Sequence, residues 1–123
     1  CMTGEAKITR GYNLPCKYVI HTVGPVYHDG CHGEEAMLES CYRKSLAIAK
    51  EKKLESIAFP LISSGVYGYP KEEAAEIAMG AVGRWLSDHK GYVMHVVMCC
   101  FDQENYEIYE KLVKMRQNKD QKV

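Results

Sequence analysis

Serines, glycines and tyrosines crowd together at Ser63-Ser64-Gly65-Val66-Tyr67-Gly68-Tyr69, between Pro60-Leu61-Ile62 and Pro70. The chemistry these types support is capture of an anion, a phosphate or diphosphate, by main-chain N–H groups. Glycine lets the backbone approach a ligand closely and take up positive φ. Each N–H bond to a charged oxygen contributes about 1.5–3 kcal/mol, so about four or five would hold a diphosphate with no lysine. The hydroxyls of Ser63 and Ser64 stand ready to assist, and the tyrosines could wall in a ribose or base. The same residues also describe a plain turn from strand to helix, with Pro70 near the first helical position. Glu72 and Glu73 suit a helix N-terminus but would repel an anion seated deep in the first turn, which puts the anion over the loop.

Other chemistries fit less well. There is no Gly-x-x-x-x-Gly-Lys-Ser/Thr and no Gly-x-Gly-x-x-Gly. A serine-hydrolase elbow around Ser63 would need glycine where Leu61 stands, and Asp88, His89, His95 and Asp102 show no role as its partners. His28, Cys31 and His32 could ligate zinc, but a fourth ligand is not evident and the segment reads as a polar surface loop. His21, inside an apolar run, reads as a hydrogen-bonded core or rim histidine. Cys99 and Cys100 lie in an apolar stretch without a neighbouring cation and should be inert. Phe101 ends that stretch and could stack on a base or simply pack in the core. No metal and no cofactor is called for.

The elements that must position these residues follow from hydrophobic pattern. Near-continuous apolar runs at 18–23, 57–62 and 93–101 read as parallel strands covered on both faces. A helical stripe over 34–53 carries Leu38, Cys41, Tyr42, Ser45, Leu46 and Ala49. A second, over 71–88, groups Ala74, Ala78, Ala81, Val82 and Trp85, with Gly80 and Gly83 permitting close packing. A third starts at the N-cap residue Asp102 and presents Ile108, Tyr109, Leu112 and Met115. Ala6-Lys7-Ile8-Thr9 reads as a short edge strand ending at Gly11. Strands alternating with helices give an α/β layered fold. Three covered strands make a thin sheet, and its free edge is open to pairing with another chain.

Bulk properties set limits. A chain of 123 residues makes one domain, 1–123, with 46% hydrophobic and 26% charged residues. Lys+Arg and Asp+Glu balance at 16 each, so no net field favours direct nucleic-acid binding. No apolar run reaches the roughly 20 residues of a membrane span, and no secretory leader is read. The basic excess in 114–123 reads as a frayed helix terminus. The cysteines, without a Cys-x-x-Cys, point to reduced thiols and a cytoplasmic setting. The sequence opens on Cys1 and not Met, so it reads as a piece of something longer.

Several stretches are similar to the macro domain family, nearest its MacroD-type branch. They are Gly4-Glu5-Ala6-Lys7-Ile8-Thr9, Gly11-Tyr12-Asn13-Leu14-Pro15, Tyr18-Val19-Ile20-His21-Thr22-Val23-Gly24-Pro25, Ala58-Phe59-Pro60-Leu61-Ile62 with the loop after it, and Cys100-Phe101-Asp102-Gln103-Glu104-Asn105. The resemblance runs from Cys1 to about Val113. It implies a three-layer α/β/α fold with a mixed, mainly parallel sheet. It also implies recognition of ADP-ribose, free or on a protein or small molecule. A complete form would hydrolyse O-acetyl-ADP-ribose or ADP-ribosyl esters on acidic side chains, or process ADP-ribose 1''-phosphate.

By the same resemblance, Ser63, Ser64, Gly65, Val66, Tyr67 and Gly68 form the second of two phosphate loops. Tyr67 would lie against the distal ribose and Phe101 would stack on adenine. The family's first strands, its Asn-Ala-Ala-Asn strand end and its glycine-rich first phosphate loop with the hydrolase aspartate do not occur here. No catalytic residue is therefore carried over, and a gap is expected in the sheet. The alternative function is a non-catalytic fragment that completes its sheet by self-association.

Overall fold

The computed structural model describes residues 2–65, 67–100 and 102–121, with side-chain surroundings as far as residue 115. Its elements run β1 (Ala6–Arg10), β2 (Tyr18–Thr22), α1 (Glu34–Glu51), β3 (Ser56–Phe59), α2 (Lys71–Asp88), β4 (His95–Met98) and α3 (Gln103–Gln121). β1 pairs antiparallel with β2, Ile8 opposite Ile20; β3 pairs parallel with β4, Phe59 opposite Met98. Among the described residues these are two separate two-stranded sheets. A parallel bridge between Thr3 and Val23 extends the first. The gap expected from sequence falls between β2 and β3, and α1 touches β1, β2 and β3. One helix therefore floors both halves.

The core follows the helical stripes. Leu38, Cys41, Tyr42, Ser45, Leu46 and Ala49 of α1 are all buried, as are Ala74, Ala78, Ala81, Val82 and Trp85 of α2. Small residues on α2 let it pack closely on α1, and Arg84 pairs with Glu39 across the two helices at 3.4 Å. Tyr42 of α1 lies against Phe59 of β3 with ring centroids 4.9 Å apart. Burial pushes the Tyr42 phenol far above its ordinary range and that of Tyr109 up to about 12. On α3, Tyr109 is buried and Ile108 and Leu112 are half-buried, but Met115 is exposed and does not join that face. Asp102 caps α3 as read from sequence, its Oδ1 accepting the Asn105 N–H at 2.8 Å. α3 continues through Gln121, beyond the point where the basic tail begins.

The strands differ from expectation. They are not covered on both faces: Ile57, Phe59, Val96 and Met98 turn toward the core, while Ser56, Ala58, His95 and Val97 stay exposed. Only one face meets helices among the described residues, so the burial alternates with the period of two that a half-covered strand requires. The strands are also shorter than the apolar runs. Ile62 and Met94 are buried from loop positions, since burial of a side chain does not require its backbone to join a ladder. Cys99 and Cys100 lie past the end of β4. Cys99 is exposed and Cys100 half-buried, not enclosed in a strand. No described helix is long and apolar enough to cross a membrane.

Candidate functional site

Because β3 and β4 are parallel, the segments that follow them leave from the same end of the sheet. The Cys99 N–H donating to Phe59 O at 2.9 Å ties those two exits together. The first exit is loop 60–70, which enters α2 with Pro70 at the N-cap. The carboxyl end of parallel strands is where open α/β sheets bind ligands.

Loop 63–69 is built against the segment that follows β2. Ser63 has φ +64°, is buried, and donates its hydroxyl to Pro25 O at 2.7 Å. Gly24 makes this fit possible: a Cβ there would sit 2.3 Å from Ser63 Oγ and 2.5 Å from Ile62 Cγ2. The Tyr27 N–H donates to Tyr67 O at 2.9 Å, and the Tyr27 and Tyr69 rings lie 4.8 Å apart. Burial, then the Glu73 and Glu34 carboxylates, push the Tyr27 phenol up, so it stays protonated. Sequence reasoning had assigned no role to Gly24, Pro25 or Tyr27 in this loop. The signal was present in Val23-Gly24-Pro25, a glycine and proline closing an apolar strand.

The loop's donors divide into two sets. Ser64 N–H donates to Leu61 O at 3.3 Å, Gly68 N–H to Gly65 O at 3.0 Å, and Tyr69 N–H to Ser63 O at 2.9 Å. The N–H groups of Gly65 and Tyr67 donate to no described residue, and both residues are exposed. A Cβ at Gly65 or at Gly68, whose φ is +77°, would meet nothing within 4 Å. The expectation of four or five free donors is thus corrected downward, because turn bonds use some of them. The expectation of assisting hydroxyls is corrected too: Ser64 Oγ donates to Leu61 O at 3.1 Å, as Ser63 does to Pro25. Ser63 shares the positive φ of a hydrolase elbow, yet its Oγ is buried and committed. Val66 and Phe101, both read as ligand contacts, lie outside the described residues.

Charge at the loop's exit is already balanced. Lys71 Nζ lies 2.9 Å from Glu104 Oε2 and 3.8 Å from Asp102 Oδ2, tying the start of α2 to the start of α3. An anion over the loop would therefore meet main-chain dipoles before it met a free cation.

The histidine loop is organised by a residue the sequence reading passed over. Glu34, 2% exposed at the start of α1, accepts N–H bonds from His28 (2.9 Å), Asp29 (3.2 Å) and Gly30 (3.0 Å) on Oε2 and from His32 (2.6 Å) on Oε1. These bonds, the one from His28 first, hold its carboxyl at about 2 although burial acts the other way. Asp29 Oδ1 accepts from Cys31 N–H and lies 2.8 Å from His32 Nδ1. Ligating atoms of Asp29, His32 and Glu34 fall within 4.8 Å of one another, but the Glu34 oxygens are occupied by amides. His28 and Cys31 do not join that group. His21 is a rim residue, exposed, with Nε2 3.0 Å from Thr9 Oγ1.

Fold and loop together define a class: an α/β domain presenting main-chain N–H groups where parallel strands end and a helix begins. The family pattern described as Macro domain matches residues 1–78. Over 111 residues the chain is 54% identical to a macro domain-containing protein of Chlorobaculum tepidum, covering 90% of this chain and 64% of that one. It is 48% identical over 114 residues to the ADP-ribose glycohydrolase MACROD2 of Mus musculus, covering 90% of this chain and 24% of that one. Among solved structures, it is similar to the Trypanosoma brucei macrodomain in complex with ADP-ribose. There the TM-score is 0.84 at 43% identity, over 92% of this chain and 47% of that one. The chain belongs to the macro domain family. It spans 64% or less of the length of these relatives.

Proposed function

We propose that this chain recognises ADP-ribose, with loop 63–68 holding the diphosphate by main-chain N–H groups. The observation that carries the reading is the division within that loop. Hydroxyls and turn amides are spent on shape, while Gly65 and Tyr67 are exposed residues whose N–H groups have no acceptor among the described residues. Two main-chain dipoles without an acceptor among the described residues attract a multiply charged oxygen cluster and need no net positive charge. The ADP-ribose bound to the T. brucei macrodomain supports the choice of ligand. Tyr67, exposed within the loop, is assigned to the distal ribose, and Phe101 to adenine.

The finer reading is that the whole domain is a hydrolase. Its substrates would be O-acetyl-ADP-ribose, ADP-ribosyl esters on acidic side chains, or ADP-ribose 1''-phosphate, and it would work in the cytoplasm. Similarity to the ADP-ribose glycohydrolase MACROD2 supports the hydrolase reading. The residues of this chain bind and orient the ligand, bending the distal ribose over the loop so that a water can reach the ester carbonyl or anomeric carbon. None of them is assigned a catalytic role. If no further segment is supplied, residues 1–123 should bind ADP-ribose at least about 10-fold more weakly than an intact family member does, a cost of about 1.4 kcal/mol or more.

Titration calorimetry with ADP-ribose on the wild type and on Gly65→Val tests the binding site. An added Cβ there meets nothing within 4 Å among the described residues, so the melting temperature should stay put while affinity falls at least about 10-fold. Unchanged affinity would remove the loop from the ligand's path.

A second reading is favoured by the sheet. β2 and β3 each have a single strand partner among the described residues, with α1 beneath both. A second copy could pair with those edges and complete the sheet. Size-exclusion chromatography with light scattering decides it: a dimer supports self-association, and a monomer at every concentration excludes it.

A further inference from the structure

The ligand loop does not stand alone; it leans on a second loop whose shape is set by one buried carboxylate. Glu34 gathers the N–H groups of His28, Asp29, Gly30 and His32, and Tyr27 immediately precedes that segment. The Tyr27 phenol lies beside Gly30, close enough that an added Cβ there would come 3.2 Å from its oxygen. Tyr27 meets the ligand loop twice, through its N–H on Tyr67 O at 2.9 Å and its ring against Tyr69. A covalent and packed path therefore runs from Glu34 through 28–30 and Tyr27 to Tyr67 and Tyr69. Tyr67 lies within, and Tyr69 directly after, the turn closed by the Gly68 N–H on Gly65 O, in which the Gly65 and Tyr67 N–H groups have no acceptor among the described residues.

We propose that Glu34 is a positioning residue for the ligand loop, fixing the orientation of the Gly65 and Tyr67 N–H groups through Tyr27. The inference rests on the ADP-ribose reading for its effect on affinity, though not for the coupling between the loops. A carboxylate suits the task because it accepts several N–H bonds at once without donating any. Glutamine at the same place offers one accepting oxygen and presents an NH₂ group to amides that are themselves donors. It would loosen 28–32 while leaving the α1–α2 core, which Glu34 does not enter, intact. The carboxylate also faces the favourable end of the α1 dipole, so a structural role confined to capping α1 is the competing explanation.

Hydrogen exchange by mass spectrometry on ligand-free protein separates the two, comparing the wild type with Glu34→Gln. Both roles predict faster exchange in 28–34. Only positioning predicts faster exchange in 67–69 as well, where Gly68 and Tyr69 N–H groups close the turn, with α2 unchanged. Calorimetry on the same variant should show ADP-ribose affinity reduced at least about 5-fold. Faster exchange limited to 28–34 with wild-type affinity would overturn the proposal. If the wild type does not bind ADP-ribose, the functional reading fails while the exchange result still decides the coupling. Should Glu34→Gln not fold, Tyr27→Leu removes the ring contact with Tyr69 and leaves the Tyr27 N–H bond to Tyr67 O and the Glu34 bonds in place. It should accelerate exchange in 67–69 but not in 28–34, and unaltered exchange in 67–69 would refute the ring contact's part in the path.

Discussion

In loop 28–32 four main-chain N–H groups close on Glu34, an anion the chain carries itself. In loop 63–68 Gly65 and Tyr67 are exposed residues whose N–H groups have no acceptor among the described residues. Both loops are rich in glycine and polar residues, both precede a long helix, and both carry acidic residues at or next to their helix start. The difference is where the acid stands. Glu34 reaches back into its own loop and fills it, whereas Glu72 and Glu73 are exposed on the first turn of α2 and leave theirs open. Grouped backbone dipoles need a negative partner, and a loop that supplies its own is finished as structure. The one that does not is available to an outside anion.

The comparison can be broken most forcefully at the contact that shapes the open loop. Gly24→Val would drive a side chain into Ser63 and Ile62, and overpacking of this kind costs about 1–3 kcal/mol. Urea unfolding should register that loss together with weakened ADP-ribose binding. A variant with wild-type stability and affinity would mean that the fit of Gly24 against the loop is unimportant. A smaller loss is expected from Ser63→Ala, which leaves the Pro25 carbonyl without its hydroxyl donor at a buried position. About 1–2 kcal/mol should disappear in the same urea unfolding, with modest loss of binding. A Ser63→Ala protein as stable as the wild type would argue against the hydroxyl's scaffold role.

The filled loop makes its own prediction through pH. The Glu34 carboxyl sits at about 2 in the fold against 4.5 when free, so it is the ionised form that the fold favours. Its contribution to stability is complete above about pH 4.5 and is lost as pH falls through about 2. Glu34→Gln should flatten that part of the profile of urea midpoint against pH. Equal slopes in the two proteins would show that the carboxylate is not held as the distances indicate.

Much of this was legible in the chain, and the unread parts have physical reasons. The stripes on α1 and α2 were read residue by residue, because a helix period of 3.6 marks its buried face clearly. The ligand loop stood out because glycine, serine and tyrosine have few reasons to crowd after an apolar run. Which of its amides were free could not be read, since turn bonds such as Gly68 to Gly65 depend on backbone angles that composition does not report. Glu34 was hidden by its position: an acid at a helix start is ordinary dipole chemistry, and only coordinates show it turning back into the loop before it. The strands were overread because apolar residues such as Ile62 and Met94 can be buried from loops. The half-open faces of β3 and β4 depend on what lies beside them, which hydrophobic runs alone do not specify.

Amide chemical shifts during titration with ADP-ribose test the central claim most directly. The Gly65 and Tyr67 resonances should move together and furthest, saturating on one isotherm. Those of Ser64 and Gly68, already bonded within the turn, should move less, and those of residues 28–32, already bonded to Glu34, least. Large shifts confined to other parts of the chain, with Gly65 and Tyr67 stationary at saturation, would contradict the assignment of loop 63–68 as the diphosphate site.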